Sequence, residues 1–437
     1  MTDTVVLGSG MAALGASYRL RQQNAPHVAY DMNREPGGHT SSHADEHGFV
    51  FDEGPHISFT KDERIKALLA ENVKGDYVSF TAQVNNYWHG HWVKHPAQCN
   101  LFGLPTDLVV KVIEDMFASR AQGVKPANYE EWLVASYGRT FAENFPMQYG
   151  RKYHTVEARN MSLDWLGPRL YQPSMTEVLT GALTAATPDV HYISEFRYPR
   201  HGGFFSYLKP MLAEMDLRLG HKLVRLDPKA RQLHFGNGAV VPFGRLISSV
   251  PLPELVPTID DAPERVRQAA ATLACSQCVV VNVGLARPDI SDWHWTYFYD
   301  DDFCFSRLSF PHMFAPNNAP AGMGSIQAEV YFSDKYKPLA GSADDWIPKV
   351  VADLRRCGLI KPDDQIVTSS AIMVRYANVI FDLDRAAALA TVKDYLDELG
   401  IQCCGRYGEW GYLWTDESFI SGEQAAQRSL DAVGTRT

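Results

Sequence analysis

The chain has 437 residues, 45% hydrophobic and 11% aromatic, enough to bury a large core divided over two or three domains. A charged fraction of 21% excludes a disordered chain, and a net charge of −10 excludes the basic excess of a nonspecific nucleic-acid binder. The stretch MTDTVVLGSGMAALG lacks the basic start and long apolar core of a secretory signal, and no run of about 18 uncharged apolar residues predicts a membrane span. Seven scattered cysteines suit a reducing cytoplasm, which is the expected location.

TVVLGSGMAALGASYRLRQQ predicts a strand, a glycine turn and a helix. Thr4 to Leu7 form an unbroken β-branched and apolar run, as a strand buried on both faces requires. Gly8 and Gly10 permit a tight turn and close approach of backbone to a pyrophosphate, and Ala13 is the small residue that lets helix pack on strand. The helix from about Met11 directs its N-terminal N–H groups at the phosphates. A second strand, HVAYD, ends at Asp31, where a ribose-binding carboxylate belongs. Six residues on come Gly37 and Gly38, then His39.

That spacing resembles the second signature of FAD-dependent amine-oxidase-type proteins. The resemblance implies that Asp31 grips the adenosine ribose, that Gly37 and Gly38 let the chain pass close to the cofactor, and that FAD rather than NAD is bound. His39 would then lie near the cofactor, in a hydrogen-bonding or a purely structural role. Within this superfamily DEGPHISFT, residues 52 to 60, resembles a segment of UDP-galactopyranose mutases whose histidine lies against the flavin, which points to His56. NNYWHGHWVKHPAQCNLFGLP resembles the same family's hairpin, with His95 at a tyrosine position. FCFSRLSFP places Arg307 where an arginine binds the sugar-nucleotide diphosphate, and VRYANVIFDLDR makes Tyr376 a further site candidate. CGRYGEWGYLWTDESFISG implies Gly405 and Arg406 at the FAD pyrophosphate, Tyr412 at the substrate diphosphate, and Asp416 as N-cap of a helix aimed at the flavin ring. Val224 falls where the family lays backbone against the adenine.

The departures are specific. Trp414 replaces an acidic residue found in many mutases, and YGRKYHTVEARNMSLDWLGPRL carries the DWLG of the porphyrinogen-oxidase-like branch. Two reactions therefore stand open. One is a mutase-like isomerisation of pyranose and furanose rings of a nucleotide-sugar in glycan biosynthesis, through N5 of a flavin that must start reduced. The other is an oxidoreductase, amine-oxidase- or protoporphyrinogen-oxidase-like, passing hydride from substrate to flavin. A non-catalytic flavin-binding role has only the departures behind it. A homodimer is the family expectation.

The expected fold class is α/β, with a Rossmann-like FAD-binding domain of glutathione-reductase type built from residues 1–80, 195–265 and 390–437. Residues 105–195 predict a mainly helical roof, and 81–104 with 266–389 an antiparallel substrate-binding sheet. Residues 223–255 predict a strand meander appended to the nucleotide sheet. Arg151, Lys152, Arg159 and Arg169 read as a solvated helix face or a cover for a diphosphate. His89 and His91, alternate residues of one strand, would share a face, but without a third ligand they predict no metal site. The lone CxxC of Cys275 and Cys278 reads as buried thiols.

Overall fold

The computed structural model describes residues 4–123, 125–167, 170–190, 193 and 195–434. Thr4–Leu7 (β1) is buried along its whole length and pairs in parallel with His27–Tyr30 (β2) on one side and Arg245–Ser248 on the other. Leu217–Arg218 extends this sheet beyond β2, and Ile401–Cys403 extends it at the opposite edge, both in parallel. Five strands drawn from distant parts of the chain thus make one parallel sheet. Met11–Gln22 (α1) links β1 to β2, giving the Rossmann-like dinucleotide-binding arrangement.

A second sheet of seven strands contains Cys275–Leu285, Trp295–Phe298, Arg307–Ser309, Gly324–Phe332, Ile366–Val379 and the hairpin Val84–Trp88 with His91–Lys94. Its neighbours run antiparallel except Trp295–Phe298 beside Val84–Trp88. The hairpin turns at His89 and Gly90, both with positive φ, the backbone a two-residue turn needs. His89 therefore sits in the turn, and the expectation that it shares a strand face with His91 is corrected. Among the described residues no three His, Cys, Asp or Glu side chains gather as metal ligands.

The predicted meander is also revised. Leu223–Asp227, Gln232–Phe235 and Val240–Pro242 form a separate three-stranded antiparallel sheet, and only Arg245–Ser248 enters the parallel one. Leu226, Leu233 and Phe235 bury one face of the small sheet, while its other side chains stay wet, so it needs no second cover. Between the hairpin and the strand Glu195–Pro199 lie helices including Thr106–Gln122, Tyr129–Tyr137 and Pro146–His154. Trp88 stacks on Phe145 at 5.4 Å and ties these helices to the seven-stranded sheet. Among the described residues no helix is long and apolar enough to cross a membrane.

α1 packs against the last helix, Thr415–Gly434, at backbone contact. A methyl group on Gly15 would stand 1.9 Å from the Phe419 carbonyl oxygen, and one on Gly422 would stand 1.9 Å from that of Ala12. Backbone cannot step aside as a flexible side chain can. Gly15→Ala is therefore expected to destabilise the fold by about 1–3 kcal/mol, as overpacking does, read as a lower urea midpoint. An unchanged midpoint would show that the helices do not meet this way.

Candidate functional site

The glycine turn after β1 opens on a cavity of about 710 Å³ that runs to the seven-stranded sheet. Gly8 has φ +116, and a side chain there would meet the Ser249 hydroxyl at 2.1 Å. Its N–H donates to the Tyr30 carbonyl, which fixes the turn to the end of β2. Gly10 is the N-cap of α1 and brings no side chain to it, and no acidic residue occupies the first turn. The positive end of α1 is thus left uncapped at the cavity wall, where Met11 and Ala12 lie.

Ser9, unremarked in the sequence, holds the motifs together. Its hydroxyl donates to Asp31 Oδ2 at 2.6 Å and accepts from the Gly37 N–H at 3.2 Å. Asp31 is buried, takes the Asn33 N–H on Oδ1 at 2.8 Å, and lines the cavity together with Gly37, Gly38 and His39. Ala13 lies behind the wall, fully buried against the Gly8 turn. Val224 faces away, 51% exposed, while Lys222 and Leu223 line the cavity. A bulge between Leu223 and Arg225 turns this part of the strand.

Gly405 and Arg406 reach the same cavity from the far end of the chain. Arg406 donates to the carbonyls of Leu413 and Ala377 and to Asn378 Oδ1, and among the described residues it has no carboxylate partner. A guanidinium in such a position is a ready anion site. His56 holds Nδ1 2.8 Å from the Gly54 carbonyl, so Nδ1 carries the proton and Nε2 is left as an acceptor. Burial pushes His56 down to about 4, so the ring is neutral at pH 7.

At the seven-stranded sheet, Arg307 makes a bidentate ion pair with Glu329, Nε to Oε2 at 2.5 Å and Nη2 to Oε1 at 2.7 Å. Tyrosines surround the pair: Tyr153 and Tyr412 touch through their hydroxyls at 3.1 Å, and Tyr149 and Tyr297 meet edge to face at 5.4 Å. Tyr376 donates to Glu254 Oε1 at 3.1 Å on the cavity wall, a short way from Arg375, whose guanidinium approaches the same carboxylate. The cap assignment of Asp416 is corrected. The last helix begins at Thr415, so Asp416 lies inside its first turn, and Glu417 takes the Trp414 N–H at 2.8 Å instead. Thr415 and Ser418 line the cavity and Asp416 does not.

Two residues of the basic run, Arg151 and Lys152, bond within the chain. Arg151 pairs with Asp301 and Glu157, and buried Lys152 donates to the carbonyls of Phe298 and Asp300. Burial lowers Lys152 to about 7. Arg159 is exposed and Arg169 lies outside the described residues. Cys278 lines the cavity, and burial raises both its thiol and that of Cys275 well above the ordinary range, which leaves them unreactive. Sequence reasoning missed Ser9, Glu53, Glu254, Glu329 and Tyr153. Of these, only Glu329 had a visible signal, a lone carboxylate in the apolar strand SIQAEVYF.

The parallel sheet and its glycine turn define a Rossmann-like dinucleotide-binding fold. A family profile described as an NAD(P)-binding Rossmann-like domain matches residues 6–71. A reduced UDP-galactopyranose mutase superposes with a TM-score of 0.93 at 24% identity, over 99% of this chain and 96% of the mutase. A protein assigned as a protoporphyrinogen oxidase from Exiguobacterium sp. 255-15 gives 0.76 at 15% identity, over 98% of this chain and 99% of the other. A putrescine oxidase bound to putrescine gives 0.64 at 16%, with the same coverage. The chain shares its fold with these three proteins.

Two measurements check this geometry. Ser9→Ala strands a buried carboxylate and a backbone N–H, and should destabilise by about 1–3 kcal/mol in urea unfolding. In an NMR titration His56 should stay neutral to about pH 4, whereas titration near its ordinary value would mean the ring is solvated. Because the folded value lies below the unfolded one, His56 contributes stability above pH ~6.5 that is lost as pH falls toward 4.

Proposed function

We propose that the protein is an FAD-dependent enzyme that isomerises the ring of a nucleotide-sugar. The observation that carries the cofactor is the convergence of three separate glycine turns, at residues 8–10, 37–38 and 405, on one cavity. The residues fit a dinucleotide: the uncapped start of α1 and Arg406 suit a pyrophosphate, and Asp31 has lone pairs to accept from a ribose hydroxyl. A single NAD fingerprint needs only the first turn. On this reading the parallel sheet with α1 and the last helix forms the cofactor unit, and the seven-stranded sheet with the helices beside it forms the substrate unit.

Bound FAD supplies two-electron or nucleophilic chemistry at N5 of its ring. The chain does the rest. The start of the last helix reaches the cavity through Thr415 and Ser418, with the Glu417 carboxylate already on the Trp414 N–H. His56 Nε2, unprotonated, accepts a hydrogen bond without bringing charge. Arg307, Glu329 and the hydroxyls of Tyr153 and Tyr412 give both donors and acceptors on the sheet, the mixture that sugar hydroxyls match. Glu329 occupies Nε and Nη2 of Arg307, leaving Nη1 for a diphosphate oxygen. Tyr376, tied to Glu254, stands at the wall between the two units.

One observation favours the second reading, an oxidoreductase taking hydride from substrate. The charge of Arg307 is already matched by Glu329, so the sheet presents less uncompensated positive charge to a leaving diphosphate than an unpaired arginine would.

The two readings separate in one experiment. The purified protein should carry a flavin spectrum, and Arg406→Ala should weaken FAD binding by about 1.5–3 kcal/mol, roughly ten- to a hundredfold in Kd. Reduced anaerobically and given UDP- or dTDP-hexoses, the wild type should form the ring isomer with no acceptor consumed. Turnover that requires an electron acceptor rejects the isomerase in favour of the oxidoreductase, and a protein that takes up no FAD rejects both.

A further inference from the structure

A bridge of side chains crosses the cavity from one unit to the other. On one side stands Glu254, in the short helix Leu252–Leu255 that follows a strand of the parallel sheet. On the other stand Arg375 and Tyr376, on the strand Ile366–Val379 at the edge of the seven-stranded sheet. Glu254 Oε1 accepts from the Tyr376 hydroxyl at 3.1 Å and lies 3.4 Å from Arg375 Nε. All three residues line the cavity. The exposed members of that lining show where it meets solvent: Met32, Asn33, Lys222 and Pro257 on the side of the parallel sheet, and Arg375 on the other. Pro257 lies just beyond Glu254 in the chain, and Arg375 is bound to Glu254, so the bridge stands at the mouth of the cavity.

Both ends of the bridge are anchored at the backbone. Cys278 faces Val374 while Ser276 faces Asn378, so the edge strand carries extra residues and bulges at Arg375 to Ala377. The Tyr407 hydroxyl lies 2.6 Å from the Tyr376 carbonyl and 3.0 Å from that of Ala377 and donates to both. Arg406 donates to the Ala377 carbonyl and to Asn378 Oδ1, each at 3.2 Å. Opposite, Glu254 sits in VPLPELVP, where Pro251, Pro253 and Pro257 fix their own φ angles. The backbones are held, and what is left to turn is the side chains. Tyr376 spends its one O–H on Glu254, so in this arrangement it has no proton to offer a ligand.

Each end is also tied to an element that suits a diphosphate. A few residues before Glu254, the Ser249 hydroxyl donates to the Leu7 carbonyl at 2.9 Å, beside the Gly8 turn. At the other end the bulge holds Arg406 through Ala377 and Asn378. We propose that Glu254, Tyr376 and Arg375 form a latch, which closes the mouth of the cavity over the diphosphate of FAD and swings aside by side-chain rotation to let the cofactor pass. One hydrogen bond and one ion pair open and reform. This rests on the reading of the cavity as an FAD site, and it gives Glu254 and Tyr376 a part in cofactor exchange. A latch obstructs entry and exit alike, whereas a contact made with the bound cofactor slows exit alone.

The test is the rate of FAD exchange, read by flavin fluorescence as release from the holoenzyme and as uptake by protein stripped of flavin. Tyr376→Phe and Glu254→Ala should each raise both rate constants by about tenfold, the scale of one hydrogen bond to a charged group, with Kd unchanged. The double variant should exchange no faster than Glu254→Ala, because both substitutions break the same bond. Should Glu254→Ala not fold, Tyr376→Phe decides alone. A rise confined to one rate constant, with a changed Kd, makes these residues contacts of the cofactor and overturns the latch. Unchanged rates overturn it as well, and both outcomes leave the cofactor reading standing. Absence of FAD binding overturns both.

Discussion

The backbone contact between α1 and the last helix is the constraint on which the site depends. Gly15 lies against the Phe419 carbonyl and Gly422 against that of Ala12, so nothing larger than hydrogen fits at either position. Close approach of this kind replaces side-chain packing by direct backbone contact. Its consequence is positional. Both helices begin at the cavity wall, α1 at Met11 and the last helix at Thr415, although about four hundred residues separate them. One packing contact therefore aims two helix N-termini into one space.

Charge in that space is distributed unevenly, and the unevenness is informative. Arg307 is matched oxygen for nitrogen by Glu329, and Arg151 and Lys152 are spent on their own chain. Among the described residues Arg406 is bonded to neutral oxygens. A compensated pair and an uncompensated guanidinium do different work: the first orients neutral polar groups, and the second attracts an anion. His56, kept neutral by burial, adds an acceptor without adding charge. The cavity thus has an anion-seeking end at the glycine turns and a charge-balanced end at the sheet.

Much of the nucleotide end was legible in the chain because it depends on local conformation. Gly8, Gly10, Asp31 and the pair Gly37–Gly38 are needed for turns and close approaches that few other residues permit, so their spacing survives in one dimension. Where the reading slipped, a neighbour made the decision. Asp416 has the side chain of an N-cap, but Glu417 reaches the Trp414 N–H and the helix starts at Thr415. His89 and His91 alternate as strand residues would, but the hairpin turns between them. The basic run looks like a solvated face, yet Lys152 is buried on two carbonyls that come from residues 298 and 300.

The sequence by itself determined the Rossmann-like element, the strands of the second sheet and the glycine positions of the cavity wall, because each follows from local backbone preference or a short hydrophobic period. Only the tertiary structure decided which side chains share a carboxylate. Ser9 with Asp31, Arg307 with Glu329, Tyr376 with Glu254, and Glu53 between His39 and His43 are pairings across 10 to 122 residues of chain. Electrostatic partnership depends on distance in space, and chain order carries no record of that distance until the sheets are assembled.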